Sequence, residues 1–231
     1  MRIKAVFEKM VFQDEEEKAN FEKYKKLKGE DLFYQIYRIL SESQSPVKYV
    51  TVSSYVRYDK NLRDKLYIYM ATLEEYYRAQ FLDAFDVLEP KKYEMHCYNQ
   101  LNKDLIKRTE GTPSVLYYGL QPDFGDLMRI CNDKGVCEID NSSQKHIKKL
   151  RNETMHHALI MFGKAQTTSR LEEHFKEIEK RLNAFVQALP QEYRAGFLSD
   201  LQKLNQNAIR NTKYLSKYCL EVLDGRICVK R

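Results

Sequence analysis

The stretch that decides the fold is Tyr58-Asp59-Lys60-Asn61-Leu62-Arg63-Asp64-Lys65-Leu66-Tyr67-Ile68-Tyr69-Met70-Ala71-Thr72-Leu73-Glu74-Glu75-Tyr76. Leu62, Leu66, Tyr69, Leu73 and Tyr76 recur at the four-three-four-three spacing that lays one apolar stripe along a helix. No glycine or proline interrupts the run, so the spacing predicts a single long helix over roughly 53–88. Pro90 stops it and opens the next helix, which extends to about Arg108; Thr109 to Pro113 is read as a loop.

Composition supports the same reading. The 231-residue chain has eight glycines and five prolines, too few for the many turns of a β fold and enough for long helices with short connections. A charged fraction of 31% with both signs mixed suits helices with one solvated face. Upstream, Ile3, Ala5 and Phe7 alternate as either a short strand or an extended arm would. Gln13 to Lys28 reads as a charged helix broken at Gly29, and Asp31 as the cap of a helix ending near Ser43, before Pro46. Downstream, Pro122 opens a short helix, and Asn132-Asp133-Lys134-Gly135 has the chemistry of a tight hairpin turn. Asn141, Ser142 or Ser143 caps a helix extending to about Gly163. Leu171, Phe175, Ile178, Leu182 and Phe185 form another amphipathic helix. Pro190 opens the last, whose near-heptad register carries Asn211 at a seam position and continues to Val222. The expectation is one all-α domain over residues 1–231, a multi-helix bundle with minor short strands or a hairpin.

The five cysteines include no CxxC pair, and Cys131, Cys137 and His146 match no strong zinc spacing, so the expectation is reduced thiols and no metal. No signal-peptide pattern opens the sequence and no apolar run reaches transmembrane length, which predicts a cytoplasmic protein with no membrane partner. A net charge of +6 is compatible with a nucleic-acid partner. The 17 tyrosines are expected to pack as amphipathic rings at helix faces.

Chemistry concentrates in Lys148-Lys149-Leu150-Arg151-Asn152-Glu153-Thr154-Met155-His156-His157. An imidazole trades a proton near neutral pH, and a guanidinium offers a planar fork of donors to phosphate oxygens as charge builds on them. These are the parts needed to cleave RNA without a metal. At 100° per residue Lys145, Lys149, Asn152 and His156 fall on one stripe, a track for phosphates with an amide one turn before a histidine. Lys145, Lys148 and Lys149 are the candidate RNA-binding residues, and Arg151, Asn152 and His156 the candidate catalytic ones. His157 falls near the azimuth of Ile147, Leu150, Thr154 and Met161, which predicts a ring on the apolar face. Arg151 sits about 140° around the helix from His156, so one helix places both groups on one phosphate only with difficulty. Two copies meeting about a two-fold axis remove the difficulty, and a homodimer is the expected assembly.

Leu150-Arg151-Asn152-Glu153-Thr154-Met155-His156-His157 resembles the "LRN…HH" signature of bacterial Abi-like abortive-infection proteins, the AbiD/AbiF group of the HEPN superfamily. Two further blocks agree in order. Tyr58-Asp59-Lys60-Asn61-Leu62-Arg63 with Leu73-Glu74-Glu75-Tyr76-Tyr77-Arg78 is similar to that group's "Y-x-D-x-x-LR" and "IE-x-x-x-R" helix, one residue shorter between Tyr and Asp. Phe124-Gly125-Asp126-Leu127-Met128-Arg129 looks like its "FG-x-L-x-R" stretch. The resemblance covers about residues 58–162. Thr154 and Met155 depart from the small residues often found before the group's histidine.

The resemblance implies a HEPN-like bundle and metal-independent RNA cleavage in phage defence, with no cofactor. Arg151 and His156 would be catalytic, Asn152 would position the imidazole, and His157 and Glu153 stand as auxiliary candidates. A cognate small non-coding RNA is a further partner it allows. Ala158 stands where HEPN toxins controlled by AMP transfer carry tyrosine, which disfavours that control. In the middle blocks Glu74 and Arg78 are expected to pair along the helix, and Arg63 to buttress a neighbour; phosphate contact by either arginine is the alternative. The competing functional reading is a non-catalytic RNA-binding protein whose basic stripe only clamps phosphates.

Overall fold

The computed structural model describes residues 10–83, 123–133, 135, 139–165, 167–207, 215 and 217–231. Among them seven helices dominate: α1 (Glu15–Lys28), α2 (Glu30–Ser43), α3 (Tyr49–Asp83), α4 (Phe124–Asp133), α5 (Asn141–Met155), α6 (Thr168–Ala188) and α7 (Gln191–Asn207). Four short strands accompany them: β1 (Met10–Val11), β2 (Val47–Lys48), β3 (Cys219–Leu223) and β4 (Arg226–Lys230). The all-α bundle with minor strands is what forms. None of the described helices is long and apolar enough to cross a membrane. The alternating piece at Ile3–Phe7, read as a strand or an arm, the helix from Pro90 to Arg108, the loop at Thr109–Pro113 and Asn211 lie outside the described residues.

The 35 residues of α3 make a helix about 52 Å long, and α2, α4, α5 and α7 all pack against it. Its deepest line is Leu62, Leu66, Met70, Leu73, Tyr77 and Phe81, each at most 1% exposed. Tyr69 and Tyr76, expected on that line, flank it half-buried. The Tyr69 hydroxyl is directed to Asp200 of α7, whereas Met70 fills the interior without a polar group to satisfy. Tyr69 instead stacks edge-on against Phe197 of α7, ring centroids 4.9 Å apart.

Helix ends follow local chemistry, not always at the expected residue. Asp14 caps α1 by accepting from the Glu17 N–H at 2.7 Å, and Glu15–Glu17 and Lys25–Lys28 place charges favourably along its dipole. Gly29, at φ 91°, divides α1 from α2; Asp31 lies inside α2 and is not its cap. Asp140, one residue before the expected range, caps α5 by accepting from the Ser142 and Ser143 N–H groups. Asn132-Asp133 belong to the end of α4, so the residues before the expected turn are helical and not a strand of a hairpin; the Asn132 side chain accepts from the Ile139 N–H at 3.1 Å and its carbonyl from the Gly135 N–H at 2.9 Å.

The largest correction concerns the C-terminal stretch. The near-heptad register does not run to Val222: α7 is described as far as Asn207, and Cys219–Lys230 is an antiparallel hairpin. Asp224 and Gly225, at φ 49° and 75°, supply the two left-handed residues its turn requires. The hairpin lies on α6 and α7. Asn183 of α6 holds both the N–H and the C=O of Ile227, and the Tyr58 hydroxyl accepts from the Leu220 N–H at 2.8 Å.

Candidate functional site

Helix α5 presents two faces. Lys145, Lys149, Asn152 and His156 are all exposed, as the stripe requires, and Lys148 beside them is exposed too. Ile147 and Leu150 are fully buried on the other face, against α3 and α6. Lys148 reaches sideways over α4, where its ammonium occupies the space a side chain at Gly125 would fill. The FG pair of that block thus has a local reason: Phe124 is buried edge-on against Tyr77, and Gly125 leaves room for the lysine.

The helix stops at Met155, eight residues earlier than expected. His156 is the C-cap, its N–H still donating to the Asn152 carbonyl at 2.9 Å. His157 then adopts φ 55°, a left-handed conformation that costs an L residue about 1–2 kcal/mol. The expectation of a buried His157 therefore fails, because its azimuth assumed a helix that has already ended; the ring is exposed. Asn152 and His156 share no side-chain hydrogen bond, so the expected positioning contact is not formed. Glu153 accepts from Arg181 of α6 at 2.7 Å, and the Arg181 side chain is only 3% exposed.

What ends the helix is the burial of the residues that follow. Leu159, Ile160, Met161, Phe162 and Ala165 all enter the core as irregular backbone, whose polar groups must then be satisfied by side chains. Asp59 of α3, wholly buried, accepts from the Met161 N–H at 2.8 Å. Arg63, one turn on, sets its Nε 3.0 Å from the second Asp59 oxygen and donates from Nη1 to the His157 carbonyl at 2.9 Å. The His174 Nε2 lies 2.8 Å from the Ile160 carbonyl, and Gln35 donates to the Gly163 carbonyl. Gly163 has φ 49° beneath the His174 ring, which would collide with any side chain there. Burial pushes the Asp59 carboxyl up to about 6, against the opposing pull of the Met161 N–H and Arg63. Burial likewise lowers the His174 imidazole.

Arg151 faces a different neighbour. Its guanidinium lies 3.8 Å from Glu74 of α3, which pairs at 3.0 Å with Arg78 as the i, i+4 spacing predicts. The Arg151 side chain is about one-third exposed, and its Nε is buried without a hydrogen-bond partner. Within one chain, then, His156 joins the lysine stripe while Arg151 turns towards α3. Arg63 buttresses the histidine turn, as expected. Sequence reasoning missed Lys28 and Lys60, which lie with Arg63 and His157 around a cavity beside that turn. Nothing in the charged run of α1 marks Lys28 as different from its neighbours. Among the described residues no group of three or more His, Cys, Asp or Glu has the geometry to hold a metal ion. No protein-family model, curated protein or solved structure matches the chain.

Proposed function

We propose that this protein is a metal-independent RNA endonuclease of a phage-defence, abortive-infection system, working as a homodimer. The observation that carries the reading is the exposed line Lys145, Lys149, Asn152, His156, which ends in an imidazole free of any protein partner among the described residues. The likeness of three sequence blocks to Abi-like HEPN proteins supplies the reaction class. A ribose 2′-oxygen attacks the adjacent phosphorus, the O2′–P bond forms and the P–O5′ bond breaks. His156 takes the 2′-hydroxyl proton, and His156 of a second copy returns a proton to the departing 5′-oxygen. Arg151 stabilises the charge that builds on the phosphorane oxygens. The lysines hold the strand. Because Arg151 and His156 diverge on one helix, the site is completed across a two-fold axis.

The test is cleavage of labelled single-stranded RNA with EDTA present. His156→Ala and Arg151→Ala are each expected to lose cleavage by about 10²-fold or more. The product should end in a 2′,3′-cyclic phosphate, and 2′-deoxy substrates should be inert. Lys149→Glu should weaken RNA binding regardless of sequence and flatten its salt dependence. Inhibition by EDTA, or variants that cut like the parent, would rule the mechanism out. One observation favours the non-catalytic alternative, a protein that binds RNA or a small non-coding RNA without cutting: Arg151 leans towards Glu74 and not into open solvent. A parent protein that binds RNA but never cuts it establishes that alternative.

A further inference from the structure

A cavity of about 640 Å³ opens where the end of α1, the start of α2, the middle of α3 and the histidine turn meet. That volume falls within the roughly 300–1,000 Å³ typical of small-ligand sites. Its walls differ by depth. Leu32, Val56 and Thr154 form an inner wall, with Val56 and Thr154 buried. Lys28, Lys60, Arg63 and His157 bring nitrogen groups to it, and the Tyr67 and Leu27 side chains stand at its mouth, 55% and 69% exposed.

The charges do not balance. Asp64 neutralises Lys60 at 2.5 Å. Asp59 lies behind Arg63 and is occupied with its Nε and the Met161 N–H. Lys28 has no carboxylate within ion-pair distance among the described residues, and burial together with the fields of Lys60, Arg63 and Arg57 depresses its ammonium. Arg63 donates from Nη1 to the His157 carbonyl and sets Nε at ion-pair distance from Asp59 without a hydrogen bond; its Nη2 has no protein acceptor among the described residues. A cavity with surplus cations, an apolar wall and an exposed aromatic ring matches a phosphate carried on a flat, largely apolar body. Inorganic phosphate would leave the wall unused, and a purely apolar ligand would leave the cations unpaired.

We infer that this cavity holds one nucleotide of a bound RNA strand, with its phosphate on Lys28 and the Arg63 Nη2 and its base against Tyr67 and the apolar wall. The inference rests on the RNA reading above and adds to it a second surface. His156 and His157 are consecutive, so the exposed lysine stripe and the cavity meet at the end of α5. The left-handed turn at His157 separates them: it releases His156 to the stripe and turns His157 to the cavity. The strain at His157 thereby acquires a purpose, since a strained backbone persists where the surroundings hold it.

The experiment measures binding of adenosine 5′-monophosphate, inorganic phosphate, a phosphoserine peptide and an uncleavable 2′-deoxy oligonucleotide to the full chain, by calorimetry, with RNase activity read in parallel. The nucleotide and the oligonucleotide should bind, and both should weaken roughly tenfold in Tyr67→Ala, as loss of one stacked base predicts. Lys28→Glu should weaken both at least as much. Both positions are exposed, so the variants should fold like the parent, which circular dichroism is to check before binding is compared. Phosphate or phosphopeptide binding as tight as the nucleotide, or variants that bind like the parent, would overturn the assignment. Nucleotide binding without RNase activity leaves the cavity standing and removes the endonuclease. RNase activity with no nucleotide binding removes the cavity alone.

Discussion

Asp59 offers a quantitative test of how the histidine turn is held. Its carboxylate is fully buried, with one oxygen on the Met161 N–H and the other 3.0 Å from Arg63. An aspartate beside an arginine ordinarily has its pKa lowered, but here desolvation outweighs the pairing and the group rises from 3.8 to about 6. The folded protein thus binds this proton more tightly than the unfolded chain. Its stabilising effect is complete below the unfolded value near 3.8 and is lost as pH rises through about 6. The full difference is about 3 kcal/mol at 1.36 kcal/mol per pH unit, of which about 1 kcal/mol develops between pH 7 and pH 5. Asp59→Asn keeps an acceptor for Met161 and removes the titration. Urea denaturation of both proteins across pH 5–8 should show the variant gaining on the parent by about 1 kcal/mol as pH rises from 5 to 7. A gap that stays flat, or one in which the parent gains with pH as an ordinary ion-paired aspartate would, refutes the claim that burial wins.

Other perturbations probe the same turn. His157→Gly should raise stability by about 1 kcal/mol by relieving the left-handed backbone, while His157→Ala, which keeps the strain and removes an exposed ring, should change it by less than about 0.5 kcal/mol; both are read from urea midpoints. Gly163→Ala should cost about 2 kcal/mol or more, since it meets both an unfavourable φ and the His174 ring. Glu153→Ala should cost about 3 kcal/mol by stranding the buried Arg181, and Arg181→Met added to it should restore part of that loss.

The long helix and the amphipathic α6 were legible because burial on one face imposes a period that survives in the sequence. Leu171, Phe175, Ile178, Leu182 and Phe185 are all buried as their spacing requires. The C-terminal hairpin was also written in the chain, as Leu223-Asp224-Gly225-Arg226 between alternating apolar residues. It was obscured because Leu215, Tyr218 and Val222 extend the preceding helical register by coincidence. Leu215 and Cys219 are buried for a different reason, one leading into a strand and the other opening it. Period alone cannot separate the two cases; the Asp-Gly pair can.

The site divides along the same line. Lys145, Lys149, Asn152 and His156 share a face because helical geometry extends through the C-cap, so residue spacing was sufficient. The place of His157 depends on where α5 ends, and no signal within Thr154-Met155-His156-His157 ends it: there is no glycine and no proline. The termination is tertiary. Asp59 and Arg63, nearly a hundred residues earlier, capture the Met161 N–H and the His157 carbonyl that a continuing helix would have used internally. Tyr58, their neighbour, anchors the hairpin, so a single turn of α3 fixes both the end of the motif helix and the C-terminal strands. Block and motif are therefore parts of one device: the α3 block supplies the charges that stop α5 at the point where its histidines must leave the helix. A variant that lets α5 run on would bury His157 and close the cavity while leaving Lys149, Asn152 and His156 in line. That separates the turn's contribution from the stripe's.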